Sequence, residues 1–253
     1  MKLHLIANEF RLQLMEMRQY WFETVSGLLF ITAMFIGVFY GVKSFAVESQ
    51  DAQSLDGLVF GFLLWMFASN AYGAITKSLI EDTQRGYIEQ LFLCPQGIVR
   101  LLLSRALAEM VSGFVVLIVL AYVVMWLTGN WLSINFFALY AILLIGAPAL
   151  IGLGLFISAF ALVFKKVETI GAFLALGLMG IVAMDAFPVN PMTFLPFVPG
   201  ASLAREVILN GKPLLLEQLA IVIANSGIYL AIGWLTFSRF EQLARKRNLI
   251  GQY

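Results

Sequence analysis

The chain has 253 residues, of which 61% are hydrophobic and only 12% are charged, and its formal net charge is +1. Soluble domains average about 45–50% apolar and about 25% charged residues, so this composition indicates an integral membrane protein. The near-zero net charge argues against nucleic-acid binding. A single cysteine, Cys94, and a single histidine, His4, argue against a disulfide, a metal cluster and His-dependent hydrolysis.

Residues 1–21 are predicted to form an amphipathic helix, because apolar residues recur at three- and four-residue steps from Leu3 to Trp21. Tyr20 and Trp21 stand where an aromatic belt would lie, so we expect this helix to rest in the membrane interface. The alternative is a cytoplasmic helix that packs against the protein itself.

Six apolar segments are predicted to cross the membrane, since about 20 helical residues span the hydrocarbon core. They are residues 22–42, 58–76, 106–127, 134–164, 170–184 and 217–237. The fourth is over-long, and Pro148 predicts a kink or break in it. The fifth is short and rich in glycine. The fold class is therefore an all-α integral membrane protein, with residues 1–253 as one transmembrane domain.

A charged segment, residues 77–105, separates the second and third spans and must lie in water, because charges are costly at the bilayer centre. Apolar residues at helical spacing predict one amphipathic helix over residues 81–93, which Pro95 ends. Such a helix is suited to docking into a partner's groove. Arg105 is expected to pair with Glu109, one turn later in the third span.

The same segment contains the motif E-x-x-x-x-G-x-x-E-x-L-x-x-x-P, formed by Glu81, Gly86, Glu89, Leu91 and Pro95. This motif resembles the first cytoplasmic loop of the type-2 ABC exporter permeases, the six-span membrane subunits of ATP-driven exporters. In that family the loop is a coupling helix that rests on the ATPase subunit. The residue after the glycine is usually threonine there, whereas here it is tyrosine.

The resemblance extends over nearly the whole chain, from the interfacial helix to a basic cytoplasmic tail at residues 238–253. It implies two separate ABC ATPase subunits that bind ATP and Mg, and a second permease copy or a paralogue. It also implies that Glu81 and Glu89 contact the ATPase. No cofactor is expected in this chain itself. The only Gly-Lys pair, Gly211 and Lys212, lacks the remainder of a phosphate-binding loop, so the chain is expected to have no ATPase site of its own.

Residues 185–216 form an unusual segment before the last span. They hold five of the chain's seven prolines, so a continuous helix is impossible. Residues 201–209 are predicted to form a short helix that ends at Asn210 and Gly211. The high apolar content predicts two short pieces that dip into the outer leaflet, an arrangement similar to the re-entrant external helices of the type-2 permeases. The alternative is an ordinary external loop.

The distribution of basic residues predicts the topology. If the N-terminus is inside, only Lys43, Arg205 and Lys212 of the 16 basic residues fall outside. The positive-inside rule then places both termini and the charged segment in the cytoplasm. The absence of a recognisable targeting segment fits the inner membrane of a bacterium.

No predicted span carries an ionisable residue near its middle, which argues against ion-coupled transport and against an ion channel. The resemblance implies that the second and fifth spans of two subunits line the path. The residues placed there are Phe60, Trp65, Met66, Asn70, Phe173, Leu176 and Met179. This apolar, aromatic face would suit a hydrophobic or amphipathic substrate, drug-like or lipid-like. For Asn70 and Asn225 the alternative role is interhelical hydrogen bonding.

The sequence therefore predicts the transmembrane subunit of an ATP-driven exporter. The alternative is a membrane scaffold or assembly subunit without a path, whose 81–95 helix recruits a partner that is not an ATPase. The broken outer segment argues against a scaffold, because a passive anchor does not need one.

Overall fold

The computed structural model describes residues 3–45, 52–84, 86–87, 90–91, 93–94, 97–164 and 168–246, and over these it contains helices and no strand. The long helices are α1 (Leu3–Gln19), α2 (Trp21–Phe45), α3 (Ala52–Gln84), α4 (Ile98–Thr128), α5 (Phe136–Phe164) and α6 (Glu168–Ala183). A 3-10 turn (Pro191–Phe194) and α7 (Val198–Ala204), which continues as a π-helical turn (Arg205–Leu209), precede α8 (Leu216–Lys246).

Five helices of the described chain are long and apolar enough to cross a membrane. These candidate spans are Trp21–Ser44, Leu55–Thr83, Ile98–Thr128, Phe136–Leu162 and Leu216–Ala244. The helix α6 is apolar but has only 16 residues. At 1.5 Å per residue it extends about 24 Å, which is short of the roughly 30 Å hydrocarbon core.

The structure corrects three expectations drawn from the sequence. Residues 81–93 do not form one separate helix, because α3 runs on through Glu81 to Gln84 and Gly86 then turns the chain with φ +75°. The third span begins earlier than predicted, at Ile98, so Arg105 lies within α4. Finally, α5 continues through Pro148, so the predicted break is wrong, while the alternative of a kink stays a prediction. Membrane helices tolerate proline where neighbouring groups satisfy the backbone.

Glycine allows α5 and α8 to touch backbone to backbone. A Cβ built on Gly233 would lie 2.0 Å from the carbonyl oxygen of Gly152, and one on Gly152 would lie 2.2 Å from that of Tyr229. No side chain fits in this space, so glycine is what permits the approach. Ser226 reinforces the contact, since its hydroxyl donates to the carbonyl of Gly146 at 3.2 Å.

The helix α3 lies at the centre of the bundle and packs against α4, α5 and α6. The indole Nε1 of Trp65 donates to the carbonyl of Ala175 in α6 at 3.2 Å. On the α5 side, a Cβ at Gly154 would lie 3.0 Å from the carbonyl oxygen of Tyr72. The helix that leads to the charged segment is therefore held along its length by three neighbours.

The segment between α6 and α8 folds back into the protein. All seven residues of α7 are buried. This helix begins at Val198, three residues before the predicted start, because Pro199 is favourable in a first helical turn. The π-helical turn ends at Leu209, and Gly211 has φ +65°, which agrees with the predicted stop at Asn210 and Gly211.

Asn225 of α8 holds this segment in place. Its Oδ1 accepts from the backbone N–H of Phe197 at 3.3 Å, and its Nδ2 donates to the carbonyls of Thr193 and Leu195 at 3.2 and 3.1 Å. Asn225 thus bonds the backbone of the folded-back segment, where the sequence had suggested a bond between helices. The clamp satisfies backbone groups at positions where no regular helix does so.

The glycine contact between α5 and α8 is testable by adding one methyl group. Gly233→Ala should lower the free energy of unfolding by about 1–3 kcal/mol, because the Cβ meets rigid backbone and the helices must separate. The measurement is the thermal unfolding midpoint of the purified protein in detergent. Gly227→Ala is the matched control, since it lies in the same helix and its Cβ would meet nothing within 4 Å. Equal midpoints for the two variants would contradict the contact.

Candidate coupling surface and transport path

Gly86 of the motif ends the helix that comes from the membrane. Its N–H donates to the carbonyl of Thr83 at 3.2 Å, and the N–H of Tyr87 donates to the carbonyl of Asp82 at 2.9 Å. This pair of bonds is a Schellman motif with a left-handed glycine, which satisfies carbonyls at the end of α3. The motif glycine therefore has a defined task, and tyrosine at the next position is compatible with it because only its N–H is used.

The described residues after Gly86 present a mixed surface. Leu91 is only 8% exposed and packs into the core, whereas Tyr87 and Leu93 are exposed. Glu81 is exposed on the last turns of α3. Glu89 and Pro95, the other two motif residues, lie outside the described residues. Leu91 and Tyr87 were both expected on the apolar stripe that docks into a partner; in the structure Leu91 packs into the core of its own chain, whereas Tyr87 faces outward and is available to a partner.

Arg105 of α4 connects three helices below this surface. Its guanidinium contacts the carboxylate of Asp82 at 2.5 Å and that of Glu9 at 3.3 Å, and it donates to the hydroxyl of Ser78 at 2.8 Å. Asp82 and Ser78 belong to α3, and Glu9 belongs to α1. We call these four residues the Arg105 cluster.

The cluster replaces the predicted pair of Arg105 with Glu109. Partners on neighbouring helices reach the guanidinium, whereas Glu109 interacts electrostatically with Lys77 of α3. Sequence spacing along one helix could not reveal this, because it does not show which helix lies opposite. The sequence did contain one indication of these partners. Glu9 and Glu16 lie on the same polar side of α1, and two acidic residues on one side of a helix favour a basic residue on the helix that faces them.

Glu9 is an unusual carboxylate because it is shielded from water. Burial raises the pKa of Glu9 above its ordinary value of 4.5, and the charge and hydrogen bond of Arg105 partly offset that rise. The negative charges of Glu16 and Asp82 raise it further. The ionised form of Glu9 therefore depends on Arg105 remaining in place.

The seven residues predicted to line a path do not form one continuous surface in a single chain. Phe60 is fully buried in the core, and Trp65, Met66 and Asn70 are half-buried. Asn70 lies against α4, since a Cβ at Gly113 would come within 2.3 Å of its Nδ2.

The remaining three path residues form an exposed stripe on α6. Phe173, Leu176 and Met179 are 76%, 64% and 51% exposed and recur at three-residue steps, so they lie on one side of the helix. They point away from the core, although α6 itself packs against α3 through Trp65. The predicted second and fifth spans are therefore neighbours within one chain.

A cleft of about 510 Å³ opens at the other end of the molecule, between the folded-back segment and the start of α8. Apolar lining is supplied by residues such as Phe187 and Ile221, and polar lining by Glu206, Lys212 and Gln218. Lys212 and Gln218 both donate to the carboxylate of Glu206 at 2.8 Å. The sequence had not indicated that these residues come together at one site.

These polar contacts favour the ionised form of the Glu206 carboxyl group. The hydrogen bond from Lys212, followed by the bond from Gln218, lowers the pKa of Glu206 below its ordinary value of 4.5 against the opposing effect of burial. A second ion pair, between Arg205 and Asp185, together with a bond from Arg205 to the carbonyl of Val182, anchors the same segment to the end of α6.

The five candidate spans define a multi-pass membrane protein. A family model described as ABC-2 type transporter matches residues 5–195, which is more than half of the chain. The protein therefore belongs to the ABC-2 type transporter family. Members of this family are permease subunits that are not themselves the ATPase and normally work with ATPase subunits. No curated protein sequence matches the chain.

Acidification tests the Glu206 contact. Because the pKa of Glu206 is lower in the folded protein, its contribution to stability is present above the unfolded value of about 4.5 and is lost as the pH falls through the folded value. Wild-type protein should therefore lose more thermal stability between pH 7 and pH 3.5 than Glu206→Gln does. Glu217→Gln, an exposed neighbour on the same cleft, is the control and should behave as wild type. An equal loss in wild type and Glu206→Gln would contradict the assignment.

Proposed function

We propose that this chain forms the translocation path of an ATP-driven exporter for a hydrophobic or amphipathic substrate, drug-like or lipid-like. Two separate ATPase subunits supply the energy, and a second copy of the chain or a paralogue completes the path. The observation that carries the proposal is the family match combined with the position of the motif, at the tip of two long helices that continue into the apolar bundle.

The helices α3 and α4 are suited to transmit motion from an ATPase. They have 33 and 31 residues and extend from the motif through their candidate spans. A continuous helix moves as one body, so displacement of residues 81–95 by the ATPase pair tilts both helices. Bundle packing around α3 then passes the movement to α5 and α6. In this mechanism Glu81, Gly86, Glu89 and Pro95 form the docking tip, and Leu91 holds that tip against the core of the bundle.

The proposed topology has six spans, and α6 is the short fifth span. Both termini lie in the cytoplasm, and the membrane is the inner membrane of a bacterium. The charge distribution supports it, since nearly all basic residues fall on one side. The complete burial of α7 supports its assignment as a re-entrant element, because irregular backbone at membrane depth must be covered by protein. Exposed Leu12 and Met15 on α1, together with exposed Trp21 at the start of α2, support an interfacial position for α1.

The substrate path in this proposal runs along α3 and α6 of two facing subunits. The stripe of Phe173, Leu176 and Met179 is exposed in the single chain and carries no charge, which suits contact with an apolar substrate or a second copy. Phe60 is buried in the state described here, so it would reach a path only if α3 moved. Trp65, Met66 and Asn70 of the same helix are half-buried, so they lie closer than Phe60 to the surface of the proposed path.

Recruitment of an ATPase is the first test. Tagged protein is extracted from its own membranes in gentle detergent, and the co-purifying chains and the ATP hydrolysis are measured. An ABC ATPase should co-purify with wild type, and Glu89→Lys should reduce it roughly tenfold or more, because a reversed charge at a docking contact is repulsive. The scaffold alternative predicts a partner without ATPase activity.

Two further variants make this test specific. Glu89→Asp keeps the charge and should retain the ATPase. Glu217→Lys makes the same charge change at the opposite end of the molecule and should have no effect on recruitment. Undiminished recruitment by Glu89→Lys would contradict the docking role, and the absence of any ATPase from the wild-type preparation would contradict the proposed function.

The α6 stripe is tested by transport in proteoliposomes that contain the co-purified complex. Hoechst 33342 serves as the drug-like probe, and a fluorescently labelled phosphatidylethanolamine serves as the lipid-like probe. Phe173→Ala should lower ATP-dependent transport roughly tenfold at equal protein level, because it removes a large apolar contact with the substrate. Phe30→Ala, an equally exposed phenylalanine on α2, should transport as wild type does. Equal rates in the two variants would place the path elsewhere.

A further inference from the structure

We propose that Arg105 is a positioning residue which locks the N-terminal helix α1 to the base of the coupling segment, residues 81–95, so that α1 moves with that segment during the ATP cycle. This inference rests on the proposed function, and it adds α1 to the moving parts of the exporter. It also assigns a role to Glu9 and Ser78, which lie outside the motif.

The geometry of the Arg105 cluster carries the proposal. One guanidinium from α4 bonds α1 through Glu9 and bonds α3 through Asp82 and Ser78. The side chains of Arg105, Glu9 and Asp82 are 27%, 14% and 19% exposed, so water screens their charges only in part. Charged hydrogen bonds in such surroundings are stronger than surface ion pairs.

Asp82 stands at the point where the coupling segment begins. Its backbone carbonyl accepts the N–H of Tyr87 in the turn that ends α3, and its carboxylate accepts from Arg105. A displacement of the turn therefore acts on the same residue that Arg105 holds. Among the described residues, three contacts in series link the docking tip to α1: Tyr87 with Asp82, Asp82 with Arg105, and Arg105 with Glu9.

Electrostatics explain why an arginine is needed at this position. Asp82 and Glu81 lie in the last turns of α3, where the helix dipole disfavours negative charge. Glu9 and Glu16 add negative charge from α1. Lys77 is the basic residue of α3 that faces Glu109. Without Arg105, the buried carboxylate of Glu9 would lose the cation that keeps it ionised, and the charged contact that joins α1 to α3 would be lost.

The remaining attachment of α1 is mainly to α4, with a smaller contact to α2. Several large apolar side chains of α1, including Leu12, Leu14 and Met15, are exposed and so contribute nothing to its attachment within the chain. Loss of one charged contact should therefore loosen α1 measurably while the bundle around α3, α5 and α8 remains folded.

Hydrogen exchange of the purified permease tests the lock without any ATPase. Arg105→Gln should increase backbone exchange in residues 3–19 about tenfold, because a charged hydrogen bond between helices is lost. Glu9→Gln should have a similar effect while leaving Arg105 bound to Asp82, which keeps the test valid if Arg105→Gln does not fold. Arg105→Lys should be intermediate. Arg100→Gln, an exposed arginine on the same helix, should match wild type.

The second arm uses the complex with its ATPase subunits, trapped with ADP and vanadate. In wild type, trapping should change exchange both in residues 81–97 and in residues 3–19. In Glu9→Gln and Arg105→Gln the change in residues 81–97 should persist, whereas the change in residues 3–19 should disappear. A purely structural role for Arg105 would not separate the exchange response of residues 81–97 from that of residues 3–19. Arg105→Lys should restore part of the response in residues 3–19.

Each result decides the proposal. Unchanged exchange of α1 in both variants overturns the lock whether or not an ATPase is present. Two results overturn only the coupling role. In the first, α1 exchanges faster in the variants but its exchange still responds to trapping. In the second, the exchange of α1 in wild type does not respond to trapping. If wild type recruits no ATPase, the proposed function fails and the coupling role fails with it. The lock between α1 and α3 is still tested, because the first arm measures it without an ATPase.

Discussion

In hydrocarbon, a backbone N–H or carbonyl without a partner costs several kcal/mol, and most of this structure follows from that constraint. Long helices satisfy their own backbone groups, which is why the apolar segments fold as they do. The segment between α6 and α8 cannot, because prolines interrupt it. Asn225 supplies the missing partners: one amide side chain serves the backbone of Thr193, Leu195 and Phe197.

The same clamp allows an unfavourable conformation to persist. Phe197 has φ +67°, which is rare for a residue with a side chain, and it directly precedes α7. Its ring is buried against Gly146 and Gly200, and it stacks with Phe67 at a centroid separation of 6.1 Å. Hydrogen bonding and close packing thus act together, and the folded-back segment becomes part of the core. Its position is fixed relative to α5 and α8, the two helices joined by the glycine contact.

The opposite end of the molecule is held by charge. Around the coupling segment the helices end, carbonyls become free, and acidic residues accumulate near the end of α3. Gly86 satisfies the backbone by its left-handed turn, and Arg105 satisfies the side chains by bridging to α1 and α3. In the proposed mechanism this end moves when an ATPase acts on it. Polar contacts suit that requirement, because they can exchange partners with water, whereas the glycine-packed apolar contacts cannot slide without creating voids.

The sequence by itself determined the membrane class, five of the spans, the stop at Asn210 and Gly211, and the family to which the chain belongs. Those features depend on composition, on apolar length and on local backbone preference, which neighbouring residues in the chain encode. Only the tertiary structure decided that Arg105 pairs with Glu9 and Asp82 in place of Glu109, that Asn225 holds the folded-back segment, and that Phe60 is buried while Phe173 is exposed. These depend on which helix faces which, and a pattern along one helix carries no information about the residue that lies opposite it.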